Sequence, residues 1–165
     1  MSVPVVAFIG LGANLGDAAA TLRCALAALA LKPGVSRVRA SSLYRTPAWG
    51  IEQQPDFVNA VAVLETTLEP EALLESLLEL EREFGRDREA GLRWGPRTLD
   101  LDLLLYADLR LDSAGLTLPH PHMHERAFVL VPLLELDPEV VIPGRGLARD
   151  AVLGVPTSDI RPLQS

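Results

Sequence analysis

At 165 residues, with 48% apolar residues and a net charge of −7, the chain is long enough for one well-buried core. It is too acidic for general attraction to nucleic acid or an anionic membrane. A single cysteine, Cys24, excludes a disulfide framework. No apolar run reaches the roughly 18 residues of a membrane span. The expectation is one soluble, cytoplasmic domain over residues 1–165, acting as a monomer. Lys32, the only lysine, sits in Lys-Pro-Gly, whereas a P-loop needs Gly-Lys-Ser/Thr, so a P-loop kinase is excluded.

In chain order, Val3 to Ile9 is a continuous apolar run ending in glycines and reads as a buried strand. Gly10, Gly12 and Gly16 are spaced one residue wider than the dinucleotide fingerprint, with Leu15 where its third glycine belongs. They read as a tight turn. Asp17 offers an N-cap for an Ala/Leu helix to about Leu31, stopped by Pro33-Gly34, with Cys24 expected to be buried in it. Val35 to Tyr44 alternates in part, and Phe57 to Thr67 is a clearer strand. Glu69-Pro70-Glu71 opens a helix to Phe84, with Leu73, Leu74, Leu77, Leu78 and Leu80 near one stripe and glutamates elsewhere. A strand over 99–106, a turn at 112–115 and a strand through Leu118 follow. Residues 126–136 read as a helix ended by Asp137-Pro138, and 144–154 as a weak helix before a polar tail. This order predicts an α+β fold, a ferredoxin-like βαββαβ core with a largely antiparallel sheet and additional C-terminal strands and helices.

The most informative stretch is residues 93–106, where arginines feed into a strand carrying two aspartates. Alternation sends Leu99, Leu101, Leu103 and Leu105 into a core and Asp100 and Asp102 to the other face, roughly 7 Å apart at a ~3.3 Å rise per residue. Two carboxylates on one face of an apolar strand repel each other unless a cation sits between them. Mg²⁺ suits this setting, because it is usually held by one or two carboxylates plus substrate phosphates. Arg86, Arg88, Arg93 and Arg97 bring guanidinium forks that match phosphate oxygens. Acids of this kind beside such arginines point to phosphoryl transfer on a nucleotide. Residue types alone leave the attacked phosphorus open. A nucleotidyltransferase attacking the α-phosphorus and a ferredoxin-like module that senses a nucleotide share these features.

The three histidines, His120, His122 and His124, alternate in an extended Pro-containing segment, yet no cysteine or further acid completes a zinc site. The loop from Gly85 to Trp94 is charged throughout without apolar periodicity, which suits a lid.

Five blocks in order resemble the 6-hydroxymethyl-7,8-dihydropterin pyrophosphokinase family: Gly10–Asp17, Tyr44–Gly50 with Gln54–Ala60, Glu81–Arg86, Arg93–Tyr106, and Leu118–His120 with Glu125–Phe128. The resemblance implies transfer of the terminal pyrophosphate of ATP to the pterin's hydroxymethyl oxygen, releasing AMP. It implies two Mg²⁺ on Asp100 and Asp102, with Arg86 and Arg97 neutralising the transferring group. ATP would be positioned by Glu81, Arg88, Arg93, Trp94, Leu103, Thr117, His120 and Arg126. Phe57 and Phe128 would sandwich the pterin. Asn59 would pair with its amino-pyrimidine edge, joined by Thr46, Pro47, Ala48 and Trp49. His122, Glu89 and Trp49 depart from residue types common in the family.

Overall fold

The computed structural model describes residues 3–47, 55–85 and 99–163. Its centre is a six-stranded sheet. Strand β1 (Val5–Ala13) is flanked on one side by β4 (Phe57–Thr66) and on the other by β5 (Asp100–Tyr106), both antiparallel to it. β4 is bordered in turn by two short strands laid end to end, β2 (Val35–Ala40) and β3 (Tyr44–Thr46). This is the ferredoxin-like order, with β5 left at one edge of the sheet.

Helix α1 (Ala18–Ala30) begins where Asp17 accepts the Ala20 N–H at 3.1 Å, as its N-cap position requires. It ends before Gly34, whose φ of +79° and close approach to Leu68 leave no room for a side chain. Helix α2 (Pro70–Glu83) opens on a proline in its first turn. Lys32, just past α1, joins Glu79 and Glu83 of α2. Leu22, Ala25 and Leu29 of α1 and Leu73, Leu77 and Leu80 of α2 cover one face of the sheet. There they meet Ala7, Ile9 and Leu11 of β1, Ala60, Ala62 and Leu64 of β4, and Leu99, Leu101 and Leu103. Each fully buried leucine contributes about 1.5–3 kcal/mol by leaving water.

The other face carries a second core. The hairpin of β6 (Leu111–Asp112) and β7 (Thr117–Leu118) leads through a 3₁₀ turn at Met123–Glu125 into α3 (Ala127–Leu136). After it come β8 (Val141–Ile142), β9 (Gly146–Leu147), α4 (Ala148–Ala151) and β10 (Arg161–Pro162). Val129, Leu130, Leu133 and Leu136 of α3 pack with Phe8, Val61, Leu104 and Leu105. Among the described residues, no helix is long and apolar enough to cross a membrane.

The structure corrects several expectations. β1 runs through Gly10 and Gly12 rather than stopping at them, so these glycines are strand residues and only Gly16 has a turn conformation. Leu105 does not join Leu103. Phe8 pairs with Leu105 and Ile9 with Leu103, so Leu104 is an extra residue that reverses the alternation and turns Leu105 to the α3 face. Cys24 is exposed, because α1 buries Leu22, Ala25 and Leu29 at helical spacing and Cys24 falls off that stripe. The weak helix over 144–154 is a short hairpin strand followed by two short helical turns, and the polar tail pairs with β3 through β10.

α3 is tied to the sheet by a polar contact at its far end. The Tyr44 hydroxyl donates to Glu135, which also accepts the amide and hydroxyl of Ser42. Burial, reinforced by the Glu135 carboxylate, pushes the Tyr44 hydroxyl up to about 12. Burial alone would raise Glu135, but its bonds to Tyr44 and Ser42 hold the carboxyl below its ordinary range. For Tyr44 the folded value exceeds the ordinary 10, so its contribution to stability is complete below pH 10 and fades as pH rises towards 12. Tyr106, the other tyrosine, is also raised, by burial and then by Glu69 and Glu71. Ultraviolet titration of the native protein is expected to show no tyrosine ionising with a midpoint at 10. A midpoint there that Tyr44→Phe removes would contradict this anchoring. Tyr44→Phe should lower stability by about 1.5–3 kcal/mol, the scale of a hydrogen bond to a charged group.

Candidate active site

The second core covers only part of its sheet face. Among the described residues, its apolar cover reaches Val61 and Leu104 and goes no further towards Phe57, Asn59 and Gly12. Pairing lines up two rows across this face. Val61, Gly10 and Asp102 share one, and Tyr44, Asn59, Gly12 and Asp100 the next. The predicted carboxylate pair therefore lies on the face away from α1 and α2, beside two strand positions with no side chain. In a strand alternating with apolar residues, glycine at every second position marks a bare strip on one face. That was the available signal for a role that a turn reading hides.

β5 is held in place from the side. It is an edge strand, and the Leu101 amide donates at 2.7 Å to Oε2 of Glu81 at the end of α2. Glu81 is buried, four residues after Leu77 and so on the apolar stripe rather than among the exposed glutamates. Its carboxylate braces the residue between the two aspartates. Leu103, expected at the nucleotide, has its side chain in the α1/α2 core. Only its main chain is left to contact a ligand, because odd positions there face away from Asp100 and Asp102.

His120 and Arg126 close in on the carboxylates. The His120 amide donates to the Leu104 carbonyl at 2.9 Å, and its ring Nδ1 accepts the His122 amide at 3.1 Å. That leaves Nε2 as the protonated nitrogen of a neutral ring. Burial first, then the charges of Arg126 and His122, push His120 down to about 4, against an opposing pull from Asp100. Arg126 lies 4.0 Å from Asp102, with its guanidinium 5.6 Å from the Phe128 ring centre. Such stacking suits a planar cation. His122 and His124 turn to Glu125 instead, at 3.5 and 3.3 Å. His122 and His124 thus share Glu125, whereas His120 feels the charge of Asp100.

Towards β3, Asn59 donates through Nδ2 to Thr46 Oγ1 at 2.8 Å, both side chains being buried. Asn14, just beyond β1, donates to the Pro55 carbonyl at 3.1 Å and ties the start of β4 to the end of β1. Phe57 and Phe128 are half-buried, one at the start of β4 and one in the first turn of α3, so neither is spent wholly in a core. Pro47 is exposed and Thr117 half-buried. Ala48, Trp49, Arg86, Arg88, Arg93, Trp94 and Arg97 lie outside the described residues.

Among the described residues, no group of three His, Cys, Asp or Glu side chains is placed to hold a metal. Asp100 and Asp102 offer a two-carboxylate set of hard oxygen donors. That donor set fits Mg²⁺ completed by phosphate oxygens better than a closed protein cage.

His120 gives a pH prediction. Its folded value lies below the ordinary 6.5, so its contribution to stability is complete above about 6.5 and is lost as pH falls towards 4. Nuclear magnetic resonance of the imidazoles is expected to give His120 a midpoint about 4. His120→Gln should flatten the stability loss between those limits. A His120 midpoint at 6.5 would contradict the burial and charge environment described.

A family model described as 7,8-dihydro-6-hydroxymethylpterin-pyrophosphokinase (HPPK) matches residues 8–138. A 2-amino-4-hydroxy-6-hydroxymethyldihydropteridine pyrophosphokinase from Methylorubrum extorquens is 46% identical over 154 residues, 93% of this chain and 96% of the relative. A protein of the same name from Synechocystis sp. is 49% identical over 140 residues, 85% of this chain and 70% of the relative. Among solved structures, Plasmodium falciparum HPPK-DHPS with pteroate superposes with a TM-score of 0.70 at 14% identity, a likeness of fold. The match covers 93% of this chain and 43% of that longer one. With the match spanning most of its length, the chain belongs to the HPPK family.

Proposed function

We infer that this protein transfers the terminal pyrophosphate of ATP to the hydroxymethyl oxygen of 6-hydroxymethyl-7,8-dihydropterin, releasing AMP, in folate biosynthesis. The observation that carries the reading is the row that sets Asn59 and Asp100 on one sheet face across Gly12. Two strand spacings, about 10 Å, separate their main chains. A heterocycle edge and a phosphate group can therefore be held on one surface, with nothing but a glycine between them. A cytoplasmic location is proposed, supported by the low cysteine content and the absence of a long apolar run, and the proposed form is a monomer.

In the reaction, a bond forms between the hydroxymethyl oxygen and the β-phosphorus as the bond from that phosphorus to the α-phosphate oxygen breaks. AMP leaves and the hydroxyl proton is released. Asp100 and Asp102 would hold two Mg²⁺, which when bound supply charge neutralisation to phosphate oxygens and acidify a nearby hydroxyl. His120 donates from Nε2 as a neutral ring, so it binds the nucleotide without adding charge. Arg126 sits between Asp102 and the Phe128 ring, where it can exchange a carboxylate for a phosphate oxygen. Phe57 and Phe128 stack on the pterin, and Thr46 orients the Asn59 amide towards its polar edge. Arg86 and Arg97 are proposed to neutralise the transferring group, and Arg88, Arg93 and Trp94 to position ATP. Glu81 supports the metal-binding strand from behind.

Incubation with ATP, Mg²⁺ and the hydroxymethyl pterin, followed by chromatography, is expected to yield AMP and a diphosphorylated pterin. Pyrophosphate with a nucleotidylated pterin would instead establish attack at the α-phosphorus, and ATP binding without AMP release would leave only a sensor. Asp100→Ala and Asp102→Ala should each lower turnover by about 10²–10³ or more, as for other groups that stabilise transition-state charge. Near-normal turnover in either variant would contradict their metal-binding role.

A further inference from the structure

We propose that Gly12 is a positioning residue for the pterin, acting through Asn59; this rests on the pterin reading above. Gly12 lies opposite Asn59 in the β1–β4 pairing, so a side chain there would share the face on which the amide projects. A Cβ built on Gly12 would sit 2.8 Å from Asn59 Oδ1. That is well inside the ~3.5 Å at which non-bonded atoms begin to attract rather than repel. The amide oxygen occupies the space that any other residue at 12 would fill.

The contact cannot be relieved cheaply. Asn59 is 7% exposed, Thr46 is 6% exposed, and the Nδ2 end of the same amide is committed to Thr46 Oγ1 at 2.8 Å. Pushing Oδ1 away from β1 rotates the whole amide and breaks that bond. Glycine at 12 and threonine at 46 therefore act on opposite ends of one planar group. Together they set its polarity, with the carbonyl towards β1 and the NH₂ towards β3. A ligand edge that alternates donor and acceptor reads this polarity directly, because a rotated amide offers donor to donor and acceptor to acceptor. Gly10 provides the contrast. It lies two residues away on the same face of the same strand, yet a Cβ there meets the Leu104 side chain at 3.5 Å, an ordinary contact.

The test is a double-mutant cycle between Gly12→Ala and Asn59→Ala, with Gly10→Ala alongside, read by side-chain amide resonances, thermal melts and calorimetric pterin titration. In ligand-free protein, Gly12→Ala is expected to move the Asn59 amide resonances and lower the melting temperature. Gly10→Ala should do neither. Gly12→Ala should weaken pterin binding by about tenfold or more, the scale of a mispaired group in a buried site. On the Asn59→Ala background the same change should cost nothing further in melting or in pterin affinity, since the oxygen it displaces is gone. Unmoved Asn59 resonances in Gly12→Ala would overturn the proposal, and so would an undiminished penalty in the double variant. Failure of the unmutated protein to bind the pterin would instead overturn the proposed function, while the resonances and melts of the ligand-free variants still decide the Gly12–Asn59 contact.

Discussion

Two carboxylates two residues apart on a strand of leucines impose the constraint on which this molecule depends. Leu101 and Leu103 gain by burial, while Asp100 and Asp102 repel each other and lose solvation if they are covered. Only a strand with one dry and one wet face satisfies both. The fold provides it by laying α1 and α2 over the leucine face and ending the second core at Leu104 on the other. Placing β5 at the sheet edge creates a further demand, because the Leu101 amide then points away from β1. Glu81 answers it from the end of α2, so the helix that covers the leucines also braces the aspartates.

From that arrangement the rest of the site follows by register. The strand beside β5 carries glycine at both positions opposite the aspartates, and the next strand carries Asn59, held by Thr46. α3 brings Phe128 and, just before it, Arg126 to the same face, and the segment after β7 brings His120. The electrostatics are consistent with a site for a polyanion. Arg126 supplies positive charge beside Asp102, and His120 is kept neutral by its burial and by its charged neighbours. A neutral imidazole donor can approach phosphate or ribose oxygens without a change of protonation.

Much of this was legible in the residues, for identifiable reasons. The leucine and aspartate faces of β5 came from simple alternation, the start of α1 from Asp17, and α2 from its proline and leucine stripe. The failures have physical causes too. Gly10 and Gly12 looked like a turn because glycine usually interrupts strands, whereas here both are strand residues and the missing side chain at Gly12 makes room for Asn59. Leu105 was misplaced because a bulge at Leu104 leaves no mark in a run of leucines. Cys24 sits in a helix so rich in alanine that its buried stripe is hard to place, and it proved exposed. Glu81 was recognisable by resemblance, but its bond to Leu101 joins residues twenty apart in the chain, which periodicity does not report. The β10 strand was missed because a two-residue pairing containing Pro162 has no strand pattern.

The most direct test of the account is a crystal structure of the protein with Mg²⁺, a non-hydrolysable ATP analogue and 6-hydroxymethyl-7,8-dihydropterin. The account predicts metal ions on Asp100 and Asp102, phosphates between them and Arg126, and the pterin edge on Asn59, all on the sheet face opposite α1 and α2. A pterin bound away from Asn59, or metal ions held without either aspartate, would contradict it.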